Sequence, residues 1–251
     1  MAFWRSVDWQ RPWLAPYRAQ GEAASKQLEA GDSVADALNH QVESLADAPR
    51  LAAGTLRFVD AASLPAGEAY ESFIHRRAQV PTRDNLHDLF NGVVWLVQPA
   101  LKRRLNELHA AEIDRIGVAP QRGPVRDALT LFDENGALWQ APAVLVDALE
   151  RRDWHTLFVT QRRAWVHARL QLIGHALLEK LVQPRKPITA HLLLCPAKEA
   201  MWPSAWPLFT ASGLAAKPFL SMPVLGVPLW WPANEEPAFY DDSAVFRPRT
   251  R

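Results

Sequence analysis

Between residues 83 and 97 apolar and polar positions recur with the period of an α-helix. At 100° per residue, Leu86, Leu89, Phe90, Val93 and Val97 fall on one face. Asp84, His87, Asp88 and Asn91 gather on the opposite one, with Trp95 continuing their stripe. The spacing predicts a helix with Thr82 as its N-cap, stopping before Pro99. A second helix follows from about Ala100 to Ile116, burying Leu101, Leu105, Leu108 and Ile116 and leaving Lys102, Arg103 and Arg104 in water. Upstream, Ala23 to Ala48 reads as helix broken near Gly31, where Asp32 or Ser33 can cap the continuation. A short strand is expected at Leu56–Val59 and a helix at Glu68–Arg77.

The period changes after Arg126-Asp127. Ala128–Phe132 and Ala137–Trp139, joined through Asn135-Gly136, read as a β-hairpin. Helix is expected again from Ala143, with a pause near Arg152-Asp153, and then from Thr160 to Val182. Ile188–Leu194 has the pattern of a buried strand closed by Pro196. Proline placement agrees: none of the 20 lies between Ala143 and Gln183, and 11 follow from Pro184 onward. The fold class read from this is α+β. It is a predominantly helical single domain over 1–251, with a small sheet that includes a hairpin, and an extended Pro/Trp-rich C-terminal segment. Within it lie a helical N-terminal part (1–67), a helical core (68–183), and a strand with its Pro-rich arm (184–251). Trp4, Trp9 and Trp13 at one end, and Trp202, Trp206, Trp230 and Trp231 near the other, suggest ends fastened by aromatic burial.

Charge and composition narrow the function classes. In 251 residues, 28 Lys+Arg stand against 27 Asp+Glu, so nucleic acid is not an expected partner. The most apolar stretch, Gly213–Ala233, contains Lys217 and the prolines 218, 223, 228 and 232, so no membrane span is expected. A single cysteine, Cys195, and a start without a basic-then-apolar leader fit the cytoplasm. A tryptophan-rich surface segment is compatible with a homo-oligomer. No Gly-x-Gly, Gly-x-Ser-x-Gly, His-Glu-x-x-His or Cys-x-x-Cys occurs, so no nucleotide cofactor is indicated.

Two polar stripes remain as candidate chemistry. Asp84, His87, Asp88 and Asn91 could bind a divalent metal or position water; the plain alternative is the solvated face of an amphipathic helix. His167, Gln171, His175 and Glu179 recur every four residues along the predicted 160–182 helix. His175 and Glu179, one turn apart, could ligate one cation, hydrogen-bond internally, or pair with Arg126 or Arg163. If both stripes line one cleft, His87, Asp88 and His175 are the metal ligands and Asp127 and Glu179 the acids that move protons. Arg126-Asp127 reads otherwise as a structural clamp, and Asp133-Glu134 as turn residues. His191 and Cys195 share a strand face, but their apolar surroundings favour a buried thiol over a nucleophile.

Several segments carry a family resemblance: Val80 to Asn91, Arg126 to Gly136, Pro223 to Pro228, and Phe239 to Pro248. Together they resemble the pattern of a bacterial family designated domain of unknown function 3025, from about residue 68 onward. The resemblance implies a continuous domain and assigns no reaction. Two functional classes stand. One is a binding or structural protein that uses its aromatic C-terminal arm; the alternative is a small metal-assisted hydrolase built on the His/carboxylate cluster.

Overall fold

The computed structural model describes residues 2–117, 123–196 and 209–249. Trp202 and Trp206 lie outside them. The chain divides into two compact units: Met1–Gln10 with Leu14–Thr130, and Arg11–Trp13 with Leu131–Arg251. Among the described residues no helix is long and apolar enough to cross a membrane. The architecture is α+β and mostly helical, as the hydrophobic patterning predicts.

The first unit is built on α1 (Arg18–Ala30) and α2 (Val34–Ser44). They break at Gly31, whose φ of 105° suits glycine, and Ser33 caps α2 by accepting from the Asp36 amide. Two short strands, β1 (Arg50–Leu51) and β2 (Gly54–Thr55), pair antiparallel. A parallel pair, β3 (Arg57–Asp60) and β4 (Gln79–Thr82), is connected through α3 (Tyr70–Arg77). The Asn39 side chain both donates to and accepts from the Phe58 backbone, at 2.8 and 2.9 Å, pinning α2 to β3. Helices α4 (Leu86–Val97) and α5 (Pro99–Ile116) complete the unit.

Helix α4 starts later than its pattern predicts. Thr82 belongs to β4, and Asn85 is the cap, its side chain accepting from the Asp88 amide at 2.8 Å. Helix α5 corrects a second expectation. Lys102 is 4% exposed rather than wet. Its ammonium donates to Asn91 Oδ1 at 2.8 Å and lies 5.5 Å from the Trp95 ring centroid, so the charge is held by a carbonyl oxygen and an aromatic face.

The predicted hairpin at 128–139 does not form. Residues Pro124–Asn135 are helix α6, which runs across the division between the units, and Gly136–Gln140 are β5. Val125, Ala128, Leu129 and Phe132, all buried, recur at i, i+3, i+4 and i+7, so the helical period wins over the turn signal. Neither Asn135 nor Gly136 has the positive φ that a type I′ hairpin turn requires. Gly136 instead permits a direct helix-to-strand step, since a Cβ there would lie 2.3 Å from the Phe132 carbonyl oxygen.

The second unit surrounds a four-stranded mixed sheet in the order β6-β5-β7-β8, with β6 Arg169–Leu172, β7 Thr189–Leu194 and β8 Phe219–Pro223. β5 is buried at every position and runs parallel to β7; the outer pairings are antiparallel. β7 matches the predicted strand. The long helix expected at 160–182 is absent. After α7 (Ala143–Glu150) come a π-helical turn at Thr156–Thr160, a 3-10 segment at Arg162–His167, β6, and the short α8 (His175–Lys180). A proline-free stretch permits helix without requiring it, and the ladder from β6 to β5, Ala137 opposite Leu172 through Gln140 opposite Arg169, overrides local propensity.

The C-terminal arm is held by polar anchors as well as rings. Asn234 is fully buried, and its amide donates to the Leu225 and Val227 carbonyls at 2.8 and 2.7 Å. Arg162 reaches Asn234, Glu235 and the Tyr240 hydroxyl, while Trp154 Nε1 donates to the Arg247 carbonyl. At the other end of the same unit Trp13 packs on Trp230, with centroids 6.2 Å apart, as the tryptophan placement suggested.

Candidate functional site

The polar residues of α4 and its approach are bound into their own unit. Asp84 is exposed on the loop before the helix and accepts from the Val34 amide at 2.8 Å, meeting the first turn of α2. Asp88, 7% exposed, takes a fork from Arg83, with Nε and Nη2 both at 3.0 Å, plus the Arg83 backbone N–H. That hydrogen bonding raises the Arg83 pKa further and assigns Asp88 to a clamp at the helix start. Asn91 donates to the Tyr70 hydroxyl and accepts from Lys102. Half of this stripe is therefore buried rather than solvated, which neither sequence alternative contained. His87 is half-buried on the same helix.

Arg126 and Asp127 part company in the first turns of α6. Arg126 is 6% exposed and Asp127 is exposed. The Arg126 charge helps to hold the Glu112 carboxyl below its ordinary range, after the hydrogen bond from Arg115. The second predicted stripe does not exist as a helix face. His167 is exposed at the end of a 3-10 segment, Gln171 is on β6 and half-buried, and only His175 and Glu179 share a helix, α8.

The chemistry in the second unit gathers around His175, 5% exposed in the first turn of α8. Its Nδ1 lies 3.6 Å from Asp133 Oδ2, and its Nε2 lies 3.7 Å from Glu134 Oε1. Both carboxylates come from the last turn of α6. Gly174 makes this possible: a Cβ there would come within 2.4 Å of the Glu134 carbonyl oxygen and 2.5 Å of Asn135 backbone atoms. Side-chain-free contact lets α8 begin directly against the end of α6. Separations of 3.6 and 3.7 Å are too long for direct hydrogen bonds. They approach the spacing of two ligands on one tetrahedral cation, about 3.4 Å for metal–ligand bonds of about 2.1 Å. A metal on Nε2 would take Glu134 as a further ligand, and Asp133 would face the other ring nitrogen.

The family profile described as "Protein of unknown function (DUF3025)" matches residues 56–250. The chain belongs to the DUF3025 family. No curated protein and no solved structure matches it. The DUF3025 span contains every residue discussed above as candidate chemistry, including the three of the His175 cluster. Sequence reasoning missed Asp133 and Glu134 by assigning them to a hairpin turn. The i, i+3, i+4, i+7 pattern from Val125 to Phe132 was the available signal, because a helix ending at Asn135-Gly136 places acids in its final turn, where the dipole disfavours them.

Cys195 of this DUF3025 chain is buried, and burial pushes its thiol up to about 11. The neutral thiol is favoured in the folded state. Its contribution to stability is therefore complete below the unfolded value of about 8.5 and is lost as pH rises toward the folded one. The native protein is expected to react with Ellman's reagent at pH 8 far more slowly than the same protein in urea. Equal rates would reinstate the thiol as a nucleophile.

Proposed function

We propose that the protein is a small metal-assisted hydrolase. The observation that carries this reading is the buried His175 imidazole, with a carboxylate facing each ring nitrogen. His175 Nε2 and Glu134 would hold a divalent cation, with Asp133 facing the other ring nitrogen. His87, on α4 of the first unit, is not placed in this ligand set. Asp88 is withdrawn from the ligand set because Arg83 occupies it. A cation held there would supply a bound water of lowered pKa as the nucleophile. Glu179, one turn along α8 from His175, receives the proton. Asp127, exposed in the first turn of α6, is left out of the reaction. A single cysteine, buried and unable to form an internal disulfide, supports a cytoplasmic setting.

The test is elemental analysis of purified protein after repletion with Zn, Mn or Fe and removal of excess metal. Stoichiometric metal is expected in the wild type. His175→Ala and Glu134→Gln should each weaken metal affinity by about tenfold or more. Wild-type protein that retains no stoichiometric metal would end the reading.

A specific observation supports the structural part of the other reading. Tyr240, Phe246 and Asn234 of the C-terminal arm are buried in contacts within their own unit. The arm in this reading is a clasp rather than a recruiting surface.

A further inference from the structure

The chain leaves α8 at Lys180 and returns through Arg185 and Pro187 into β7. A cavity of about 310 Å³ lies along this return, lined by Lys180, Arg185, Pro187, Ile188 and Thr189. Both of its charged walls are cations, and among the described residues no carboxylate lines it. Neighbouring Lys186 is neutralised by Asp242 at 3.1 Å; Arg185 has no such carboxylate among the described residues. Lys180 is held in place, its Nζ donating to Asn135 Oδ1 at 2.8 Å. Its charge also reaches the sheet. His191, two residues beyond Thr189 on the same face of β7, has its pKa lowered first by burial and then by Lys180.

We propose that this cavity is an anion-binding subsite that anchors a phosphate group of the substrate, at a position remote from the bond that is cleaved. A guanidinium fork and an ammonium together match a phosphate monoester dianion, whereas a carboxylate needs only one of them. Pro187 and Ile188 supply an apolar wall for the organic part next to the phosphate. The placement relative to His175 follows from α8. Lys180 is five residues from His175 on one short helix, an axial rise of about 7.5 Å. Asn135, which holds Lys180, is the residue after Glu134. The substrate class is a small phosphorylated ester, with the phosphate in this cavity and the scissile bond roughly one helix-length away. This assignment of substrate rests on the hydrolase reading; the cavity's affinity for phosphate does not.

Calorimetric titration of the full chain with phenyl phosphate, inorganic phosphate and benzoate tests it, on metal-repleted protein and on protein stripped with EDTA. Phenyl phosphate is expected to bind saturably in both forms and at least about tenfold more tightly than benzoate. Lys180→Ala/Arg185→Ala, and separately Arg185→Glu, should weaken phenyl phosphate by about tenfold or more while leaving metal content unchanged. Both sites are exposed, so an unaltered melting curve is expected for Arg185→Glu. Phenyl phosphate affinity unmoved by both variants, or no saturable binding in either form, overturns the subsite. The two readings fail separately. Binding that depends on Arg185 in a wild type that retains no metal leaves the subsite standing and removes the hydrolase. Stoichiometric metal with phosphate binding indifferent to Arg185 does the reverse.

Discussion

Phe158→Ala is expected to destabilise the protein by about 3–5 kcal/mol, the range for truncating a fully buried aromatic residue. Phe158 is 0% exposed and lies in the π-helical turn, at the centre of a ring cluster. It stacks on Tyr240 at 5.1 Å, Trp165 at 5.7 Å and Trp154 at 6.2 Å, with interplanar angles of 15°, 17° and 8°. Phe246 meets it edge-on at 6.1 Å. Each such pair adds about 0.5–1.5 kcal/mol beyond burial, and the surrounding rings are too rigid to close the void, so the upper half of the range is expected. For a chain of this length that corresponds to a fall in melting temperature of about 10 °C. Circular dichroism melts and urea titration measure it. Phe158→Leu should lose less, and Val166→Ala, at a position 79% exposed, should stay within about 0.5 kcal/mol. A loss below about 1 kcal/mol for Phe158→Ala would mean that the cluster is not a fastening point for the arm.

Gly174→Ala should have the second large effect and should separate packing from chemistry. The added methyl meets backbone atoms of Glu134 and Asn135, not flexible side-chain ends. Either α8 moves away from α6 or the last turn of α6 unwinds. Overpacking of this kind costs about 1–3 kcal/mol, and backbone against backbone places this case at the upper end. The same displacement moves His175 away from Glu134 and Asp133. The variant is therefore expected to lose metal occupancy at temperatures well below its melting transition. Unaltered metal binding in a folded Gly174→Ala protein would argue that the His175 and Glu134 side chains do not share a cation.

The elements legible in the chain are those whose burial repeats in one register. α4, α5, the break at Gly31 and the strand β7 all follow from apolar spacing together with a local stop or cap. The failures share a cause. At Asn135-Gly136 one dipeptide serves as a hairpin turn or as a helix end, and only the apolar positions before it distinguish the two. Between Thr160 and Val182 no breaker marks the step into β6, because a ladder to β5 supplies the backbone partners there. The candidate site suffered accordingly. His175 stands out in the pattern, but the helix expected around it runs from 160 to 182, whereas α8 spans His175–Lys180 and meets Asp133 and Glu134 at its start. The burial of Lys102 is not legible from its own helix because its partners, Asn91 and Trp95, lie on a different one.

The contact between Trp13 and Trp230 also sets an order of events during synthesis. At about 5–20 residues per second, roughly ten seconds or more separate the emergence of the two rings from the ribosome. Until residues 219–230 arrive, Trp13 lacks the aromatic partner it has in the finished protein, and β7 lacks its edge partner β8. A nascent chain halted in this interval carries an indole without its ring partner and an open strand edge, and such edges draw chaperones and proteases. Residues 219–230 close both, so a chain halted before them keeps the surface features that quality control recognises.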